Sequence, residues 1–284
     1  MKIVFNSFAN AYDTMLSRIL NDPEYVTAPR GQKIKELINV NFTISNPLSN
    51  LFRNIVRSVP MKYLANELCL YFSGTCSAEL FKKASAFWGT IANEDGTVNS
   101  AYGNLIFNFK DGDSSTTHNQ WQWAKYSLIK DKDSRQAIMH FNRPNHQKRD
   151  VKDFPCTIYC QWFIREDHLD LITYMRSNDI FFGVTFDIPF FMLLMQIMRS
   201  ELLLTYPNLQ LGHYHHSAGS LHAYERDFET LEAMSEEIFV EDNLPLIDVN
   251  PRYSSDIRSM VYYSENYTYE GNDPFIKWLD DNRR

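Results

Sequence analysis

Residues 154–179 read FPCTIYCQWFIREDHLDLITYMRSND. Within them, CTIYCQWFI (156–164) and HLDLITYMR (168–176) predict two extended strands, with Cys156, Ile158, Cys160 and Trp162 on one face of the first. REDH (165–168) reads as a tight turn. If Glu166 and Asp167 form a two-residue hairpin loop, Arg165 opposes His168, and the register runs back to set Cys156 opposite Ser177, beside Arg176. A neighbouring guanidinium lowers a thiol pKa and also binds phosphate bidentately, so this corner could hold both a nucleophile and an anionic substrate.

Downstream, Ile180 to Met198 is the longest apolar stretch, interrupted by Thr185, Asp187 and Pro189. It predicts a buried strand end and a core helix rather than a membrane span, with Asp187, two residues before Pro189, as a candidate N-cap. Upstream, Ser7 to Leu20 has helical spacing, TAPRG (27–31) is a loop, and KIKELINVNFTI (33–44) alternates like a strand. Met61–Phe72 and Glu79–Trp88 predict two helices, 93–103 is turn-rich, His118–Lys130 returns to helical spacing, and Arg135–Phe141 is a candidate strand. With no repeat, low-complexity tract or Gly/Ser linker, one domain over 1–284 is expected, with a distinct C-terminal segment from about 251. Its tyrosines, Tyr262, Tyr263, Tyr267 and Tyr269, suggest packing rather than disorder.

The chain has 284 residues, 44% hydrophobic and 22% charged, which is an ordinary globular composition. A net charge of −7 argues against a general nucleic-acid or membrane-surface binder, so any phosphate must be held locally. Cys69, Cys76, Cys156 and Cys160 lack metal-ligand spacing and read as reduced, intracellular thiols. The N-terminus lacks the pattern of a secretory signal, and a cytoplasmic location is expected (the host cytoplasm if virus-encoded). His213, His215 and His216 invite a metal, but alternation divides them between two faces and leaves no third ligand, so they are read as strand residues near a dimer contact or the surface, and no metal is expected.

Phe154-Pro155-Cys156, Tyr174 through Asp179, Gly183, Phe186-Asp187 and His222-Ala223-Tyr224 together resemble the thymidylate synthase superfamily in order and spacing. Glu67 in ANELCLYFSG, Trp88 and Tyr102 in WGTIANEDGTVNSAYG, and Asp133-Ser134-Arg135 extend the resemblance across most of the chain. It implies an α/β (α+β) subunit, a twisted mixed sheet packed against helices, in a sheet-to-sheet homodimer. The implied activity is transfer of a one-carbon unit from 5,10-methylene-tetrahydrofolate to C5 of a pyrimidine nucleoside monophosphate. Cys156 would add to C6 and make C5 nucleophilic. Arg176, Ser177 and Arg30 would hold the 5′-phosphate, with Arg135 reaching in from the other subunit. His222 and Tyr224 match the pair on the sugar 3′-hydroxyl, Glu67 matches the residue that manages water and protons at the base, and Trp88, Asp179, Gly183 and Phe186 match the folate side.

Asp187 stands where thymidylate synthases carry Asn. An amide complements the N3–H donor and O4 acceptor of uracil, whereas cytosine reverses that pattern and suits a carboxyl that accepts from N4 and shares a proton with N3. The same replacement marks the deoxycytidylate hydroxymethylase branch, which MRSND and GSLHAYERDF also resemble, so dCMP is the expected substrate. Hydroxymethylation, in which water captures the exocyclic methylene, follows from that branch resemblance alone. Hydride transfer, as in a thymidylate synthase or C5-methyltransferase, a CMP hydroxymethylase, a catalytically silent nucleotide-binding homologue and a cysteine hydrolase stay open. Four departures bear on this: Gln136 where a second arginine is common, Met175 for Gln, Thr157 for His, and the ending PFIKWLDDNRR in place of a short apolar tail.

Overall fold

A computed structural model describes residues 3–108, 119–262 and 269–283. The chain begins β1 (Ile3–Phe5), α1 (Phe8–Asn21), β2 (Tyr25–Thr27), β3 (Ile34–Ile44) and β4 (Leu51–Arg53). Five helices follow, α2 (Met61–Ser73), α3 (Ala78–Ala84), α4 (Phe87–Ile91), α5 (Tyr102–Phe107) and α6 (Gln120–Lys130), and then β5 (Ile138–His140), β6 (Thr157–Arg165), β7 (His168–Met175) and β8 (Asn178–Asp179). The last part comprises α7 (Gly183–Leu202), β9 (Gln210–Tyr224), α8 (Phe228–Ser235), β10 (Val240–Asp242), α9 (Tyr253–Tyr262) and α10 (Pro274–Asn282).

Local chemistry accounts for most of these limits. Ser7 caps α1 by accepting from the Asn10 N–H at 3.2 Å, and Gly74 ends α2 in the left-handed region at φ 71°. Glu79–Trp88 forms two helices rather than one, because Ser85 is extended between them. The helix expected from His118 starts at Gln120 behind an Asn119 cap, and His118 itself lies outside the described residues. So do Tyr263, Tyr267 and the side chain of Tyr262. C-terminal α9 and α10 pack against α2.

The main sheet runs β1–β3–β9–β7–β6–β5, with β2 also on β3 and β8 on β9. It is mixed: β9 is antiparallel to β3 but parallel to β7 and β8. One face is apolar and buried, with Cys160, Trp162, Leu169, Leu171 and Tyr214 in the same core as α7 and Met175 buried as well. The other face is half-buried and carries the stacked Tyr159 and Tyr174 rings, 5.9 Å apart.

Glu166 and Asp167 form the expected two-residue turn, both with positive φ (48° and 60°), and Arg165 pairs with His168. The register then departs from expectation near the strand's start. Tyr159 pairs with Tyr174, yet Thr157 pairs with Met175, so Ile158 is an extra residue in a β-bulge. Because strand residues alternate, that insertion reverses the faces before it. Thr157, not Cys156, shares the buried face of Cys160 and Trp162, and Cys156 lies opposite Arg176 instead of Ser177, its carbonyl accepting the Arg176 N–H at 2.8 Å.

Helix α7 is also longer than expected. It begins at Gly183, so Asp187 sits inside the helix and is not its cap. Pro189 stands in the helix interior and leaves the Thr185 carbonyl without its i+4 donor.

Candidate active site

Strand β7 ends at Met175 and β8 resumes at Asn178, both beside β9, so Arg176 and Ser177 form a short break in the sheet. Cys156 meets that break from β6. Arg176 donates from Nε to the Pro155 carbonyl (3.1 Å) and from Nη2 to the Phe154 carbonyl (2.5 Å), which aims Nη2 at the Cys156 sulfur, 3.7 Å away. Burial pushes the thiol up to about 11, opposed by Arg176 and Arg30, with Asp187 and Asp153 adding to the rise. Arg30 occupies a turn at φ 52° and acts electrostatically on both Cys156 and Tyr224. Ser177 follows Arg176, half-buried.

The acidic side of the cleft comes from two helices. On α2, Tyr63, Glu67 and Tyr71 are spaced by four and share a face. Tyr63 donates to Glu67 Oε1 at 2.9 Å, and burial raises the Glu67 carboxyl to about 7 despite hydrogen bonds from Tyr63 and Tyr71. On α7, Asp187 is held well above the usual carboxylate range, first by burial and then by Glu67. Asn178 Nδ2 donates to Asp187 Oδ2 at 2.9 Å. Tyr102 links the two sides: its ring stacks on Tyr71 at 5.5 Å, its hydroxyl accepts from the Thr157 N–H at 3.2 Å, and it feels both Asp187 and Cys156.

The remaining candidates divide. His222 is buried on β9 opposite Asp179, with its ring 5.1 Å from and perpendicular to Tyr224, and burial lowers its pKa. Burial also raises Asp179, to about 6, while it accepts from the Phe181 N–H. Phe186 packs on Tyr63 at 4.7 Å, and Trp88 is buried with its indole N–H turned toward the Tyr63 hydroxyl but completing no hydrogen bond. Gly183 abuts the Asn178 amide and the Asp187 carboxyl. Arg135 is not brought to this cleft. It lines a separate cavity of about 600 Å³ with Trp123, Tyr126, Lys130 and Arg165.

Three contributors were not singled out from sequence. Tyr63 was detectable from its i, i+4 relation to Glu67. Asp153 accepts from Ser100 N–H and hydroxyl, tying the NSAYG loop to the Cys156 loop, and had no spacing signal. Arg57 lies 3.8 Å over the Phe181 ring with both terminal nitrogens buried and unpartnered. His216, expected near a dimer contact or the surface, is instead 1% exposed in the core and bonded to Asn178. Among the described residues no group of three His, Cys, Asp or Glu is placed to hold a metal, and no helix is long and apolar enough to cross a membrane.

A mixed sheet carrying a cleft of buried thiol, guanidinium and protonatable carboxyls is the architecture of an enzyme. The chain belongs to the thymidylate synthase family, whose model matches residues 10–271. It is 28% identical over 220 residues to the deoxycytidylate 5-hydroxymethyltransferases of Enterobacteria phages T6 and T4, covering 75% of this chain and 85% of theirs. To the deoxyuridylate hydroxymethyltransferase of Bacillus phage SP01 it is 26% identical over 276 residues, covering 90% of this chain and 70% of that one. The thermostable thymidylate synthase A of Bacillus subtilis shares the fold with a TM-score of 0.69 at 19% identity, over 89% and 91% of the two chains.

Proposed function

We propose that the chain transfers a one-carbon unit from 5,10-methylene-tetrahydrofolate to C5 of dCMP, giving 5-hydroxymethyl-dCMP. The observation that carries this reading is the placement of Asp187, whose carboxyl burial and then Glu67 hold well above the usual carboxylate range, close enough to Cys156 to act on its thiol. A protonated carboxyl donates to the cytosine N3 while its other oxygen accepts from the N4 amino group. The names of the phage relatives support the same reaction class.

In this reading the Cys156 sulfur adds to C6, and the displaced C5–C6 π electrons make C5 nucleophilic. Arg176, Ser177 and Arg30 hold the 5′-phosphate, and His222 and Tyr224 hold the 3′-hydroxyl. The one-carbon unit would come from the folate, when bound, at the methylene level, with C5 losing its proton and the tetrahydrofolate amine leaving with the electrons of the bond it gives up. The residues present fit it: the Trp88 N–H, which completes no hydrogen bond, offers a donor beside an aromatic wall, and Arg57, stacked over Phe181 with two terminal nitrogens that complete none, offers a cation for an anionic tail. Glu67, near 7, takes a proton from the water that adds to the exocyclic carbon; the C5–C6 double bond reforms and sulfur leaves as thiolate. The half-buried sheet face supports a sheet-to-sheet homodimer, which would carry Arg135 to the partner's cleft.

The test is incubation of the protein with methylene-tetrahydrofolate and dCMP, CMP or dUMP, with products resolved by mass. A hydroxymethyl product from dCMP is expected. A methyl product with dihydrofolate absorbance would replace this reading with hydride transfer, and dUMP as the preferred substrate would overturn the base assignment.

A further inference from the structure

Behind Asp187 runs a row of buried polar side chains that the reaction described above does not use. Tyr214, His216 and Asn178 are each 2% exposed or less, on the sheet face otherwise built of Trp162, Leu171 and Met175. Burying three polar groups in such a layer is costly unless each is bonded. Here all of them are, in one line. Tyr214 OH and His216 Nδ1 are 3.0 Å apart, His216 Nε2 and Asn178 Oδ1 are 2.9 Å apart, and Asn178 Nδ2 donates to Asp187 Oδ2 at 2.9 Å.

The line has a direction. Asn178 presents its Nδ2 to Asp187, so its oxygen faces His216, and an amide oxygen only accepts. His216 Nε2 therefore carries the proton. Burial holds the ring neutral, with a pKa of about 3, so Nδ1 is bare and accepts from the Tyr214 hydroxyl. Each group hands its donor forward, and the last donor falls on Oδ2 of Asp187. That oxygen is thereby the accepting one, so a proton taken up by the carboxyl belongs on Oδ1.

We propose that His216 is a positioning residue that, through Asn178, fixes which oxygen of Asp187 donates and which accepts, and so sets the preference for an aminopyrimidine over an oxopyrimidine edge. The proposal rests on the reading of Asp187 as the base-contacting group. Were the line reversed, with His216 protonated on Nδ1 and the Asn178 amide turned, Oδ2 would have to donate, Oδ1 would accept, and the carboxyl would match an N3–H instead of a bare N3. Phe42, whose ring lies 5.1 Å from that of His216, and the strand pairing of His216 with Thr173 hold the imidazole in place.

The test is equilibrium binding of dCMP and dUMP, measured by calorimetry without folate, to wild type, His216→Phe, His216→Gln and Tyr214→Phe. Losing the imidazole donor frees the Asn178 amide, and the dCMP-to-dUMP affinity ratio is expected to fall by about tenfold in His216→Phe, the worth of one directed hydrogen bond. His216→Gln, which keeps a donor and an acceptor, should recover much of the ratio, and Tyr214→Phe should lower it less. A merely structural role weakens both ligands together and leaves the ratio unchanged; with a wild type that prefers dCMP, that result overturns the relay alone. A wild type that prefers dUMP overturns the cytosine reading and the polarity assigned here with it. If His216→Phe does not fold, Tyr214→Phe, which removes one oxygen, decides the question.

Discussion

Arg176 Nη2 lies 3.7 Å from the sulfur of Cys156, held there by the Phe154 and Pro155 carbonyls. The guanidinium is the main influence opposing the burial that raises the thiol. Removing it moves the pKa further up, so less thiolate is present at any pH below the midpoint. Arg176→Ala should slow iodoacetamide alkylation of Cys156 at pH 8 by about tenfold, followed by mass spectrometry of the 156-containing peptide, with Cys160 as the buried control. An unchanged rate would remove the electrostatic role.

Asp187→Asn replaces a group that can donate from one oxygen and accept at the other with an amide of fixed polarity. The amide suits the uracil edge. Preference should move from dCMP toward dUMP by about 100-fold or more in relative kcat/KM, measured on both nucleotides with the same folate.

Gly183 leaves room for the Asn178 amide. A Cβ there would stand 2.7 Å from Asn178 Nδ2 and 3.4 Å from Asp187 Oδ2. Gly183→Ala should therefore weaken dCMP binding by about tenfold through a displaced amide, with helix α7 intact by circular dichroism.

Glu67 predicts a pH dependence of stability. Its carboxyl rises from 4.5 unfolded to about 7 folded, so the folded state binds the proton more tightly and loses stability as pH climbs through that window. The cost is absent below the lower value and complete above the upper one, on the order of 3 kcal/mol. Glu67→Gln lacks it. In urea titrations at pH 4 and pH 8, the variant should show the smaller drop between the two; equal drops would mean the carboxyl is not buried as described.

Arg135 sits in its own cavity, away from the Cys156 of the same chain. In the proposed dimer it serves the neighbour. Mixing Arg135→Ala with Cys156→Ala subunits should restore up to about a quarter of wild-type turnover, because one kind of site in the mixed dimer is intact. No recovery above either parent would count against sharing.

Much of this was legible before any coordinates. The helical spacing of 7–20, the alternation of 33–44 and the Glu166-Asp167 turn are local signals, and local chemistry decided them; the role of Ser7 as the cap of α1 came from the structure. The family resemblance also named Cys156, Arg176 and Asp187 together, and the structure places these three near one another. What escaped reading depended on contacts distant in sequence. The Ile158 bulge has no signature in alternation, since CTIYC reads equally well without a slip. Asp187 looked like a cap because Pro189 follows it, while the packing of an apolar helix on the sheet carried α7 back to Gly183. His216 looked like a spare histidine because its partners, Asn178 and Asp187, lie on other elements.

The slip at Ile158 decides which side chain meets the cleft. Because Ile158 is the surplus residue, removing it would leave Thr157 opposite Met175 and Cys156 opposite Arg176, whereas pairing the unchanged sequence in strict alternation would turn the thiol to the buried face and hand its place to threonine. A one-residue slide of the ladder, with no change of sequence, would cost the protein its nucleophile while the sheet stayed whole.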